Sequence, residues 1–230
     1  VYAEADMGAW KAPRWHPAHL GLLVFYDMDD AGRVRLRSLQ VDTGQLETLY
    51  TFPADVIEVL SNQSFDELSR DGRWLAGEWV NTAGDGVVFS FDLQAHQLAA
   101  MVNLTELYRS VCTPDRDYGM VDPDWTGVSP LGHYLVVQWG ASGVSRCNGL
   151  ETFDIETGAF LGRVTSEHPH GDLQVLADGV TEVFVSSEFA GPTAGQSFAG
   201  GEPGGRDIDA WYPALSYRTL PGVPDDQSDP

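Results

Sequence analysis

An all-β chain built from repeated antiparallel sheets, four strands to each, is what the sequence predicts, and three observations predict it. One clause recurs: Leu39–Leu46 reads LQVDTGQL, Phe91–Leu98 reads FDLQAHQL and Phe153–Phe160 reads FDIETGAF. Each sets apolar residues on either side of a polar turn, the pattern of a β-hairpin. A second phrase precedes each clause at a nearly constant offset. It reads HPAHLGLLVFYD from His16, SRDGRWLAGEWV from Ser69 and SPLGHYLVVQWG from Ser129, with a weaker fourth copy, LADGVTEVFVSS, from Leu176. Finally, the strand inside this phrase is apolar on both faces, so both of its faces must be covered. Four-stranded sheets of this repeat length, stacked about an axis, make a β-propeller.

The elements follow in order. Each unit, or blade, opens with a short strand a, then a tight turn and strand b, then a variable loop, strand c, a second tight turn and strand d. In the third unit these are Trp125–Val128, Tyr134–Trp139, Leu150–Ile155 and Phe160–Val164. The units are placed near 14–53, 61–104, 122–165 and 170–222 of a single domain, 1–222, with 223–230 a disordered polar tail. The fourth differs. After VFVSSE comes the Gly-rich FAGPTAGQSFAGGEPGGRDIDAWYP, strand c resumes at Ala214–Gly222, and no strand d follows. About four blades with an incomplete last one predict a partial or fragment propeller of a larger ring.

The phrases SRDGRWLA and SPLGHYLV resemble the S-P-D-G-[RK]-x-[LI] motif of TolB-type and related bacterial propeller repeats, the WD40-like PD40 repeats. FDIETG is similar to the clause that closes their third strand. The resemblance covers about residues 14–188 and implies the fold alone, because propellers host enzymes, sensors and scaffolds alike. The first copy departs from the motif, with His-Pro-Ala-His in place of the turn, and the last lacks Ser and Pro.

Charge narrows the partners. The chain carries 13 basic and 34 acidic residues, a formal net charge of −21, which repels phosphate backbones and so excludes nucleic acid as an expected partner. It suits cationic partners or divalent metals. No apolar run reaches the length of a spanning helix, so no membrane insertion is expected. Two cysteines, Cys112 and Cys147, are too few for a thiolate zinc site. Both fall on loops of one face of the third unit, so a disulfide between them is expected. It would place the chain in an oxidising compartment, periplasmic or extracellular.

Strand order sends the a–b and c–d turns to one face and the b–c and d–a loops to the other. The first face is tight and uniform; the second gathers the long irregular segments, where binding residues concentrate. The residues at the start of strand a lie nearest the axis. They give the candidate ligand-binding set Asp66, Glu67, Asp122, Asp124 and Asp172, and the candidate metal set His168, His170 and Asp172 for manganese, calcium or zinc. Alternate residues of an extended segment share a side, which would let His168 and His170 point together. The ordinary alternative is that such groups cap backbone N–H groups. DMDDAG from Asp27 echoes a calcium loop but has Ala31 and Ser38 where ligands are required, so a hairpin loop is expected there. His16, His19 and His133 fall at a–b turns and read as structural. Trp74, Trp79, Trp125 and Trp139 read as packing between blades.

No complete catalytic motif is present. The expected function is therefore a non-catalytic propeller that binds a protein or small ligand through its loop-rich face. Two alternatives stay open: an axial-site enzyme, such as a metal-dependent polysaccharide lyase or hydrolase, and a propeller accessory domain of a larger peptidase-like enzyme.

Overall fold

The computed structural model describes residues 13–60, 67–108, 125–139, 149–165, 171–177, 179–189 and 213–219. They form four antiparallel sheets in chain order. Blade 1 comprises β1 (Arg14–Trp15), β2 (Leu22–Met28), β3 (Val34–Gln40) and β4 (Gln45–Thr51). Blade 2 comprises β5 (Val56–Leu60), β6 (Trp74–Asn81), β7 (Gly86–Asp92) and β8 (Gln97–Asn103), and a short helix, α1 (Leu104–Tyr108), follows it. Blade 3 holds β9 (Trp125–Val128), β10 (Tyr134–Trp139), β11 (Gly149–Asp154) and β12 (Phe160–Thr165); blade 4 holds β13 (Gly171–Val175), β14 (Glu182–Phe189) and β15 (Pro213–Thr219). In every blade neighbouring strands in sequence are neighbours in the sheet. Among the described residues the fourth sheet has three strands, and the chain beyond Thr219, where a fourth would fall, lies outside them. No helix among the described residues is long and apolar enough to cross a membrane.

The blades stack because their middle strands are apolar on both sides. In β10, Tyr134 and Val136 join Leu173 and Phe184 of blade 4, while Leu135 and Val137 join Trp74, Ala76 and Val88 of blade 2. A third cluster joins blades 1 and 2 through Val24, Leu36, Phe52, Leu75, Trp79 and Phe89. Trp74 and Trp79 are both buried in these seams, as packing between blades requires. Trp125 and Trp139 lie on strands, and Trp15 is 62% exposed on β1.

The tight turns are held by their own side chains. Ser69 Oγ accepts the Trp74 N–H, and Ser129 Oγ accepts those of His133 and Tyr134. At the second turn Asp92 accepts from the Gln94 and Ala95 N–H groups, and Asp154 from those of Glu156 and Thr157. The Thr157 hydroxyl donates to Asp154 as well and, with those N–H groups, holds its carboxyl below the usual range. These are the recurrent residues of the repeat, and capping explains why they recur. The DMDDAG segment is a hairpin loop in which Asp29 accepts from the Ala31 and Arg33 N–H groups.

Blade 2 begins earlier than the sequence suggests. β5 pairs with the far end of β6, Val56 opposite Asn81 and Leu60 opposite Glu78, and Leu68 bridges Leu75 nearer the turn. Strand a of blade 2 therefore begins at Val56, before Ser61 and not after it. The alternation of β5 is too short and too far from the Ser-x-x-Gly turn to be assigned to it by pattern.

Candidate functional site

Of the candidate residues at the starts of strand a, Glu67 and Asp172 lie in the described part. Glu67 is buried, and its two carboxylate oxygens accept from Arg14 Nε and Nη2 at 3.1 and 3.2 Å, tying blade 2 to blade 1. Asp172 lies on β13 opposite Val185. Asp66, Asp122, Asp124, His168 and His170 lie outside the described residues, as do Cys112 and Cys147 with their expected disulfide. Among the described residues no group of three metal-ligating side chains is assembled.

A cleft of about 410 Å³ opens elsewhere, between blades 1 and 2 on the face of the tight turns. It is lined by Leu22, Val24, Leu49 and Leu93 and by the polar groups His16, His19, Ser38, Glu47, Asp71, Arg73 and His96. Comparing this seam with the next one shows why it is open. Strand registers set Leu22, Trp74 and Tyr134 at equivalent positions, opposite Gln40, Asp92 and Asp154. Blade 2 thus wedges the Trp74 indole into its seam with blade 3, where a Cβ on Gly132 would come within 2.6 Å of it. Blade 1 offers only Leu22 at that place.

The second turn of blade 2 differs to match. Gly44 and Gly158 hold the left-handed position in blades 1 and 3, with φ of 68° and 71°. In blade 2 the position is His96, at φ 53°, the one positive-φ residue other than Gly among those described. A Cβ at Gly158 would already press on Val102 of blade 2 at 3.1 Å. At His96 the seam accommodates a whole imidazole, with Nδ1 3.8 Å from Glu47 Oε1 of blade 1. A His in this region of backbone space is uncommon and costs energy.

A two-residue difference in the bulge completes the opening. In blade 2 the register shift falls between Ser90 and Phe91, and there Ser90 Oγ accepts the Ala100 N–H and donates to the Ile155 carbonyl of blade 3. In blade 1 the shift falls earlier, between Leu36 and Arg37, and Ser38 is paired with Glu47. Ser38 stands where Ser90 stands, is 7% exposed, and makes no side-chain hydrogen bond among the described residues. The bond that closes the second seam is thus not made in the first.

The wall of the cleft is set by His16, which holds the place of Ser69 and Ser129. Its Nδ1 accepts the Ala18 and His19 N–H groups at 3.2 and 3.1 Å. The ring seats against Gly72 of blade 2, where any Cβ would collide with it. His16 thus takes over the cap of a serine and reaches across the seam, so its reading as structural fits what it touches. Burial, reinforced by the neighbouring His19, lowers its pKa below the ordinary 6.5. The Gly72 carbonyl and Asp71 oppose the shift. A lowered folded value means the neutral form stabilises the fold above pH 6.5, and that stability is lost as pH falls through the folded value. The advantage of wild type over His16→Ser in urea unfolding should therefore shrink between about pH 7.5 and about pH 5.5. An advantage unchanged across that window would refute it.

No protein-family model matches the chain, and no curated protein matches it. Solved structures do, at low identity. An uncharacterized protein from Listeria monocytogenes is 10% identical with a TM-score of 0.51, over 88% of this chain and 52% of that one. An oligogalacturonate lyase in complex with manganese is 14% identical with a TM-score of 0.50, over 92% of this chain and 48% of that one. TolB from Acinetobacter baumannii is 16% identical with a TM-score of 0.43, over 92% of this chain and 43% of that one. The chain spans about half the length of these proteins. With its four blades in chain order, it has the fold of a partial β-propeller, similar to the lyase and the Listeria protein at the level of fold alone.

Proposed function

We propose that this chain is a non-catalytic binding propeller that takes a small ligand in the cleft between blades 1 and 2. One observation carries the reading: Leu22 stands where blade 2 places Trp74, so the seam is left open and lined with polar groups. The volume lies within the range of ligand pockets, and polar and apolar side chains share its lining. This face is opposite the loop-rich one that the irregular segments favour. A role in binding a protein through that second face rests on segments outside the described residues. A periplasmic or extracellular home rests on Cys112 and Cys147 alone, and two free thiols under denaturing, non-reducing conditions would count against it.

Refilling the seam tests the reading. Leu22→Trp should keep the fold, seen as an unchanged far-ultraviolet spectrum and unfolding midpoint. It should remove the amide shifts that a panel of small polar compounds causes around Gly72, Leu93 and His96. Shifts that persist in the variant, or that never cluster at the cleft, would overturn it.

A further inference from the structure

We infer that the cleft selects a small organic cation with an apolar body and a polar far end; this rests on the binding role proposed above. The charge at the mouth is negative. Glu47 is exposed there, and the group of opposite character beside it is the His96 imidazole, at 3.8 Å. Asp71 is exposed as well; one of its oxygens accepts from the Ser69 hydroxyl and the Arg73 N–H, and the other makes no hydrogen bond among the described residues.

The remaining groups do not cancel that charge. Arg73, the one guanidinium lining the cleft, is already committed: Nε and Nη2 both donate to Asp92 Oδ2, at 3.0 and 2.8 Å, with Glu156 nearby. His16 is held neutral by its burial and its turn hydrogen bonds. A net charge of −21 over the whole chain steers in the same direction.

The depth of the cleft has a different character. Val24 and Leu93 are buried apolar walls, with Leu22 and Leu49 above them. Beside them sits Ser38, a residue 7% exposed that lines the cleft and whose hydroxyl makes neither of the bonds that Ser90 makes in the next seam. Its hydroxyl is free to exchange a hydrogen bond with a ligand's hydroxyl or carbonyl in a site that the ligand closes off from water. An ammonium at the mouth, an alkyl stem on the leucines and a hydroxyl at Ser38 satisfy all three zones. A lysine side chain of a partner would enter ammonium first and leave both ends mismatched, so the geometry favours a free small molecule.

The test uses aminohexanol, hexanediol and hydroxyhexanoate, which share a stem and differ in the charge of one end, titrated calorimetrically into the full chain. Aminohexanol should bind about fivefold tighter than hexanediol, and hydroxyhexanoate most weakly. Glu47→Gln should erase most of the preference for aminohexanol while leaving hexanediol unchanged. Ser38→Ala should weaken aminohexanol about threefold and leave hexylamine, which lacks the hydroxyl, unaffected. Equal binding of the cation and the diol, tightest binding of the anion, or no binding of aminohexanol would overturn the inference. In each case, clustered amide shifts from other compounds that are lost in Leu22→Trp would leave the binding role itself standing.

Discussion

Replacing Phe52 with Ala should cost about 3–5 kcal/mol of stability, the range for deleting a fully buried phenyl ring. Phe52 is 2% exposed and lies just after β4, where the chain leaves blade 1 for blade 2. Its ring meets Tyr50 at 5.1 Å between centroids and both Trp79 and Phe89 at 5.5 Å, each in an edge-on arrangement. Edge-on pairs add favourable quadrupole contacts to the area they bury. The cavity left by alanine would be walled by other rings already fixed against one another, since Trp79 and Phe89 are stacked at 5.0 Å. Rigid walls cannot collapse inward, which puts the expected loss in the upper part of the range. Urea unfolding measures it directly. Ile57→Ala, at a side chain 54% exposed on the adjoining strand, is the control and should change stability by about 0.5 kcal/mol or less. A Phe52→Ala loss no larger than that of the control would refute the account of this seam.

Glu182→Ala should cost about 2–4 kcal/mol, for an opposite reason. By register Glu182 takes the position of Leu75 and Leu135, both apolar, yet it is a carboxylate only 1% exposed. It is tolerated because the turn of blade 3 supplies donors: the Ser129 hydroxyl at 3.1 Å, the Leu131 N–H at 2.6 Å and His133 Nδ1 at 3.0 Å. Removing the carboxylate leaves a void and strands the Leu131 N–H in a partly buried turn. Glu182→Gln should lose less, because its carbonyl still accepts. A double-mutant cycle with Ser129→Ala should give a coupling of about 1–2 kcal/mol. Strict additivity would mean that the two side chains do not act together across the seam.

The blade pattern was legible because it is local. Turn serines, capping aspartates and left-handed glycines act within a few residues of themselves, so each leaves a mark at a fixed offset. The doubly apolar middle strand of blade 3 was legible for a similar reason: both of its faces touch neighbours that the repeat itself supplies. The cleft was not legible, because it arises from comparing seams. Leu22, Ser38, Glu47 and His96 are each unremarkable in their own strand or turn. Only the registers show that Trp74, Ser90, Ala99 and Gly158 close the same place one seam later. The nearest sequence signal was His96, where two sister clauses carry Gly. The loop-rich face drew attention through length and irregularity, properties that say where a chain departs from its repeat but not where it leaves space.

Each apolar cluster among the described residues joins one pair of sheets adjacent in sequence, first with second, second with third, third with fourth. Nothing in these seams asks an early segment to wait for a late one. As the polypeptide leaves the ribosome, every newly finished sheet finds its docking surface already made, and the molecule can assemble vectorially from its amino-terminal end.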